Sequence, residues 1–86
     1  MISLSKYKNI FFDRDGIINH VVMRDFVVGS PRYFEEFIIR SDFRALYSRI
    51  PREVNLFVIT NQPDLSRNLM ELVELTAMHD VLRSDF

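Results

Sequence analysis

The chain contains no cysteine. Disulfides and cysteine-ligated zinc are therefore excluded, and the fold has to live on packing, a bound ion or a partner. Charge of one sign is missing too. Eleven lysines and arginines face twelve aspartates and glutamates, for a formal net charge of -1. That balance gives no electrostatic case for nucleic acid or an anionic membrane surface as a partner. Long apolar runs are also absent. The longest, Leu56-Phe57-Val58-Ile59, falls far short of the roughly 20 residues that cross a bilayer. Met1 to Lys8 is too polar for a secretory h-region. No membrane partner and a cytoplasmic location are the expectations. Lysine is scarce, present only as Lys6 and Lys8.

What is present is ordinary for a folded protein. Hydrophobic residues make up 48% and charged residues 27%, which argues against disorder. The 86 residues make at most one small domain. A chain of that size buries only about 60% of its unfolded surface or a little more, so its stability is thin.

The apolar pattern sets an element order. Ile10, Phe11 and Phe12 follow a polar start, and their aromatic and β-branched character predicts a strand near residues 8–13. The run stops at Asp13-Arg14-Asp15-Gly16, where Gly16 marks a turn. Residues 21–28 read as irregular or hairpin-like and are closed by Gly29-Ser30-Pro31. Ser41 is the expected N-cap of a helix over 41–50, with Asp42 in its first turn and Pro51 at its end. Leu56 to Ile59 suits a strand buried on both faces, as in a parallel sheet. Thr60-Asn61-Gln62-Pro63 is turn chemistry. From Met70 to Arg83 a second amphipathic helix is expected, with Met70, Val73, Ala77 and Val81 at helical spacing and Met78 in support. Phe34, Phe37 and Phe43 are expected core residues.

Strands alternating with helices imply an α/β fold with parallel strands and right-handed crossovers. Ligands in such sheets bind beyond the carboxyl ends of the strands. Both predicted strands end in polar, turn-rich segments, which meet at one edge if the strands are parallel neighbours. Two carboxylates at i and i+2 there are unusual without a cation. Magnesium takes oxygen ligands, a carboxylate or two and substrate phosphate. One aspartate can then attack phosphorus, and the other can protonate the leaving oxygen and deprotonate water. Thr60 and the amides around Asn61 are donors suited to a phosphoryl group.

Phe11-Phe12-Asp13-Arg14-Asp15-Gly16-Ile17-Ile18-Asn19 resembles the first motif of haloacid-dehalogenase (HAD) phosphatases. The likeness is to the subfamily IIIA branch that contains the heptose-bisphosphate and histidinol-phosphate phosphatases. Val58-Ile59-Thr60-Asn61-Gln62 resembles that branch's second motif, and Pro63-Asp64-Leu65-Ser66-Arg67 resembles the stretch after it. The resemblance covers residues 8–83. It implies a partial HAD-like Rossmannoid fold and magnesium-dependent hydrolysis of a small sugar-phosphate-like metabolite. By the same resemblance, Asp13 is the nucleophile that becomes aspartyl phosphate. Asp15 is the general acid/base, and both aspartates are magnesium ligands, Asp15 through its backbone carbonyl. Thr60 and Asn61 hold phosphoryl oxygens, Arg67 contacts substrate, and Gly16 and Asn19 belong to the phosphate- and substrate-binding set, Asn19 by shaping the pocket. Asn68 stands where the family has a glycine. Asparagine tolerates left-handed backbone angles better than most residues, so the turn is expected to survive.

The family pattern includes two further motifs, a lysine and an acidic group that completes the magnesium shell. Neither has a match here. Lys6 and Lys8 belong to the wrong end of the first strand, Asp64 is not used as a ligand in the family, and Asp80 and Asp85 lie in or after the second helix, away from the strand ends. The expectation is therefore a truncated domain with weak or no phosphatase activity by itself. An apolar strand edge at Ile10 to Phe12 would then be open to a second copy or a complementing chain. Plainer readings stand beside these. The aspartates could form an Asx turn, Thr60 and Asn61 could cap a strand, and Arg67 could be a solvated surface charge. Arg14 is expected to anchor a neighbouring loop. His20 and His79 read as loop and packing residues. The alternative function is a non-catalytic remnant or assembly subunit that retains phosphate or metal binding. A receiver domain uses similar aspartate chemistry but lacks this pair of motifs.

Overall fold

A computed structural model describes residues 6–86. In chain order the elements are β1 (Asn9–Asp13), β2 (Val22–Arg24), β3 (Val27–Gly29), a 3-10 turn (Phe34–Glu36), α1 (Ser41–Tyr47), β4 (Asn55–Ile59), α2 (Pro63–Ser66) and α3 (Leu72–Asp85). Helices thus mix with a small parallel sheet, an α/β arrangement at the coarse level. The chain divides into two units. The first reaches His20 and resumes over Ile39–Thr60; the second is Val21–Ile38 with Asn61–Phe86.

In the first unit β1 and β4 pair in parallel, from Asn9 opposite Asn55 to Asp13 opposite Ile59. Aromatic and β-branched residues favour this extended backbone. Phe12 sets its ring edge-on against Phe43 of α1, with centroids 5.3 Å apart. Among the described residues of this unit, Ile18, Phe43 and Val54 are the buried apolar ones. On the other face Phe11 stacks on Phe57 at 5.0 Å, and both rings stay exposed.

Two expectations change here. Ser41 is the first residue of α1 rather than its cap. Arg40 is the N-cap, with extended backbone and no side-chain capping bond, because its N–H is held by the Ile18 carbonyl at 2.8 Å. The strand expected to be buried on both faces is not. Phe57, Val58 and Ile59 are 45%, 45% and 55% exposed. Helix α1 has seven residues, roughly 10 Å of axis, which is too short to cover two strands.

The second unit holds the antiparallel hairpin β2–β3, in which Val22 pairs with Gly29 and Arg24 with Val27. Its two-residue turn places Asp25 and Phe26 at φ 50° and 63°, the left-handed geometry of a twist-matched hairpin turn. Phe37, Met70 and Met78 are buried in this unit. Helix α3 starts at Leu72 instead of Met70, and Val73 is 69% exposed. The inward face carries Glu74 and Met78, because the Glu74 carboxylate accepts the Phe34 N–H at 2.8 Å. Phe34 makes that contact through its backbone, so its ring remains 41% exposed and is not core. Among the described residues no helix is long and apolar enough to cross a membrane.

Candidate phosphate-chemistry site

Asp13 closes β1 directly opposite Ile59, the last residue of β4. The ladder continues one rung further, as the Arg14 N–H donates to the Ile59 carbonyl at 3.1 Å. Parallel strands end at the same edge, so Asp13, Arg14-Asp15 and Thr60 all leave from one end of a two-stranded sheet. Lys8 precedes the opposite end, where its carbonyl accepts the Asn55 N–H.

The loop after Asp13 is closed on itself. The Arg14 carbonyl accepts the N–H groups of Ile17, Ile18 and Asn19 at 3.3, 2.8 and 3.2 Å, and the Gly16 N–H returns to the Asn19 carbonyl at 2.8 Å. Gly16 sits at φ 87°, a left-handed conformation that glycine alone adopts without a Cβ penalty. The role of Gly16 is therefore to let the chain turn between Asp15 and Asn19.

Asp15 is gripped from two directions. Its Oδ1 accepts Arg14 Nε at 3.1 Å, Arg14 Nη2 at 2.8 Å and Asn19 Nδ2 at 3.0 Å. Arg14 and Asn19 are both fully buried, so these donors are rigid and little screened. Arg14 thus holds its own chain neighbour. A burial cost of that size needs an adjacent counter-charge, and Asp15 supplies it. The Asn19 amide also donates to the His20 carbonyl at 3.1 Å. Its Oδ1 accepts no hydrogen bond among the described residues. The signal for Arg14 was present in the sequence, as the one cation between two acids, but the choice between them required coordinates.

Asp13 contrasts with Asp15. It is exposed, and its carboxylate makes no hydrogen bond or ion pair among the described residues. Thr60 is half-buried at the adjacent strand tip. The structure therefore brings Asp13, Asp15, Gly16, Asn19 and Thr60 into one unit at one sheet edge. Asn61 and Arg67 belong to the second unit. Asn61 is exposed, and Arg67 caps the C-terminus of α2. There Asn68 takes φ 61°, and the N–H groups of Asn68 and Leu69 reach the carbonyls of Leu65 and Asp64 at 3.2 and 2.8 Å. That double closure is a Schellman motif, with asparagine in the position that glycine usually fills.

No three His, Asp or Glu side chains gather as a metal cluster among the described residues. The open carboxylate of Asp13 still matches what magnesium accepts from a protein, one or two carboxylates beside water and substrate oxygens. Asp15 Oδ1 already accepts three donors; the magnesium ligand that the resemblance implies at this residue is its backbone carbonyl. Compared with family models, with curated proteins and with solved structures, the chain shows no match.

Proposed function

We propose that the strand-tip loop carries HAD-type phosphoryl chemistry, the magnesium-dependent hydrolysis of a small sugar-phosphate-like monoester. The observation that supports it most is the parallel register, which sets the Asp13 carboxylate, without a partner among the described residues, beside the chain end that bears Thr60. In this reading an Asp13 oxygen attacks phosphorus, and the ester oxygen departs with a proton from Asp15. Water then attacks the aspartyl phosphate, gives its proton to Asp15 and releases inorganic phosphate. Asp15 Oδ1 already accepts three donors, so Arg14 and Asn19 fix the direction in which the proton-carrying carboxyl points. Thr60 is the donor for the phosphoryl oxygens within this unit; roles for Asn61 and Arg67, which belong to the second unit, are what the resemblance alone implies. Magnesium, when bound by the Asp13 carboxylate and the Asp15 carbonyl, would neutralise phosphoryl charge.

The aspartates lack a lysine, since both lysines belong to the far end of β1. A single missing donor of this kind costs about 3–4 kcal/mol of transition-state stabilisation, so this polypeptide alone is expected to turn over slowly or not at all. A second reading, a phosphate- or metal-binding remnant without catalysis, draws support from the saturated Asp15 Oδ1. Fluorine NMR with beryllofluoride and magnesium separates the readings from the outset. A bound signal that Asp13→Asn removes is expected. Its absence in the unaltered chain would sink the phosphatase reading, and a bound signal without phosphate release would favour the remnant.

A further inference from the structure

A cavity of about 500 Å³ lies wholly within the second unit, a size suited to a small-molecule group. Arg24, Arg32 and Arg67 line it, together with Asp25, Gly29 and Asp64. What matters is how many of the arginine donors are already used. Arg24 is committed: its Nη1 donates to the Ser30 carbonyl at 2.8 Å, and its Nη2 pairs with Glu36. Gly29 makes room for that guanidinium, because a Cβ there would stand 3.2 Å from Arg24 Nη1. Arg32 is only half committed. Its Nε meets Asp64 Oδ2 at 2.9 Å, and its two Nη groups donate to nothing among the described residues. Arg67 has no side-chain partner among them at all.

Two guanidinium forks with unused N–H groups thus border one hollow. Asp64 is spoken for by Arg32. Asp25, at the hairpin turn, is the only lining carboxylate without a cation. Planar guanidinium forks match carboxylate and phosphate oxygens in a bidentate way that an ammonium cannot. An arriving anion would find donors that need not first break an internal bond.

We propose that this cavity binds the oxyanion group, phosphate or carboxylate, of a small molecule, held by Arg32 and Arg67 with Arg24 as the fixed wall. The proposal does not rest on the phosphatase reading. It shares Arg67 with it but needs neither aspartate of the first unit. Asp25 opposes the anion and limits its affinity.

The test is a titration of the full chain with inorganic phosphate and, separately, with citrate, followed by the arginine Nε–H signals in nitrogen-15 NMR. Saturable shifts of Arg32 and Arg67 are expected, and whichever anion binds more tightly identifies the source. Arg67→Gln, at an exposed position, should weaken binding about tenfold, the worth of one charge-assisted bond. Asp25→Asn should tighten it several-fold, and asparagine tolerates the same left-handed turn. Asp13→Asn should leave it unchanged. Shifts that fail to saturate with both anions, or an unaltered affinity in Arg67→Gln, would overturn the site. Loss of binding in Asp13→Asn would do so as well, while leaving the beryllofluoride result to judge the phosphatase reading separately.

Discussion

The two units hold themselves together by different physics. In the first, backbone pairing and aromatic packing dominate: a parallel ladder, a stacked Phe11–Phe57 pair and an edge-on Phe12–Phe43 pair. In the second, carboxylates clasp the loops. Glu36 accepts Arg32 N–H at 2.9 Å, Tyr33 N–H at 3.3 Å and the Arg24 guanidinium, Asp64 holds Arg32, and Glu74 holds Phe34. The difference teaches that one small chain can order one region by burial and another by charge-assisted hydrogen bonds. The two should then fail under different stresses.

The largest expected effect is on the packed unit. Phe43 is buried at the centre of both aromatic contacts of α1. Phe43→Ala should cost about 3–5 kcal/mol, enough to abolish a cooperative denaturant melt in a chain this small. A melt displaced by less than about 1 kcal/mol would mean that the ladder, and not the ring, carries the unit.

A smaller effect should single out the clasped unit. Burial pushes the Glu36 carboxyl up, but the N–H groups of Arg32 and Tyr33 and the Arg24 guanidinium together hold it below its ordinary value of 4.5. A group held low when folded contributes stability that is complete above its unfolded value and is lost as pH falls through its folded one. Hairpin amides should therefore lose hydrogen-exchange protection as the pH drops below about 4.5, earlier than the β1–β4 amides. Glu36→Gln should remove that difference and cost about 1 kcal/mol at neutral pH. In the first unit Asp42 is also held low, chiefly by the hydrogen bonds from Arg40, but that pair is exposed and adds little. Simultaneous loss of protection in both units would break the comparison.

The smallest effect is a gain. Phe26 is 98% exposed and left-handed, so it packs against little and bears a backbone strain that glycine avoids. Phe26→Gly should stabilise the hairpin by about 1 kcal/mol or somewhat less, read as increased protection of the Met23 and Val28 amides. A loss instead would show that the exposed ring is held by something beyond the chain.

Much of the fold was legible residue by residue. Ile10 to Phe12 and Leu56 to Ile59 announce strands through their side-chain types, and Gly16 marks a turn. The Asp13–Asp15 and Thr60 tips were read as neighbours on the single premise of parallel pairing. Less legible was the hairpin turn, since Asp25-Phe26 is not a usual left-handed pair. Exposure was hardest. Val73 and Phe34 have the chemistry of core residues but lie off the faces that Met78 and Glu74 define. The grip of Arg14 on Asp15 was not legible, because a cation between two acids can turn either way.

Local chemistry by itself determined where this chain extends and where it turns at Gly16, because those properties depend on the side chain and its immediate neighbours. Tertiary structure alone decided which carboxylate is bound and which is open, and that Arg24, Arg32 and Arg67 share one hollow. Such outcomes depend on distances between residues far apart in the chain, and periodicity carries no information about those distances.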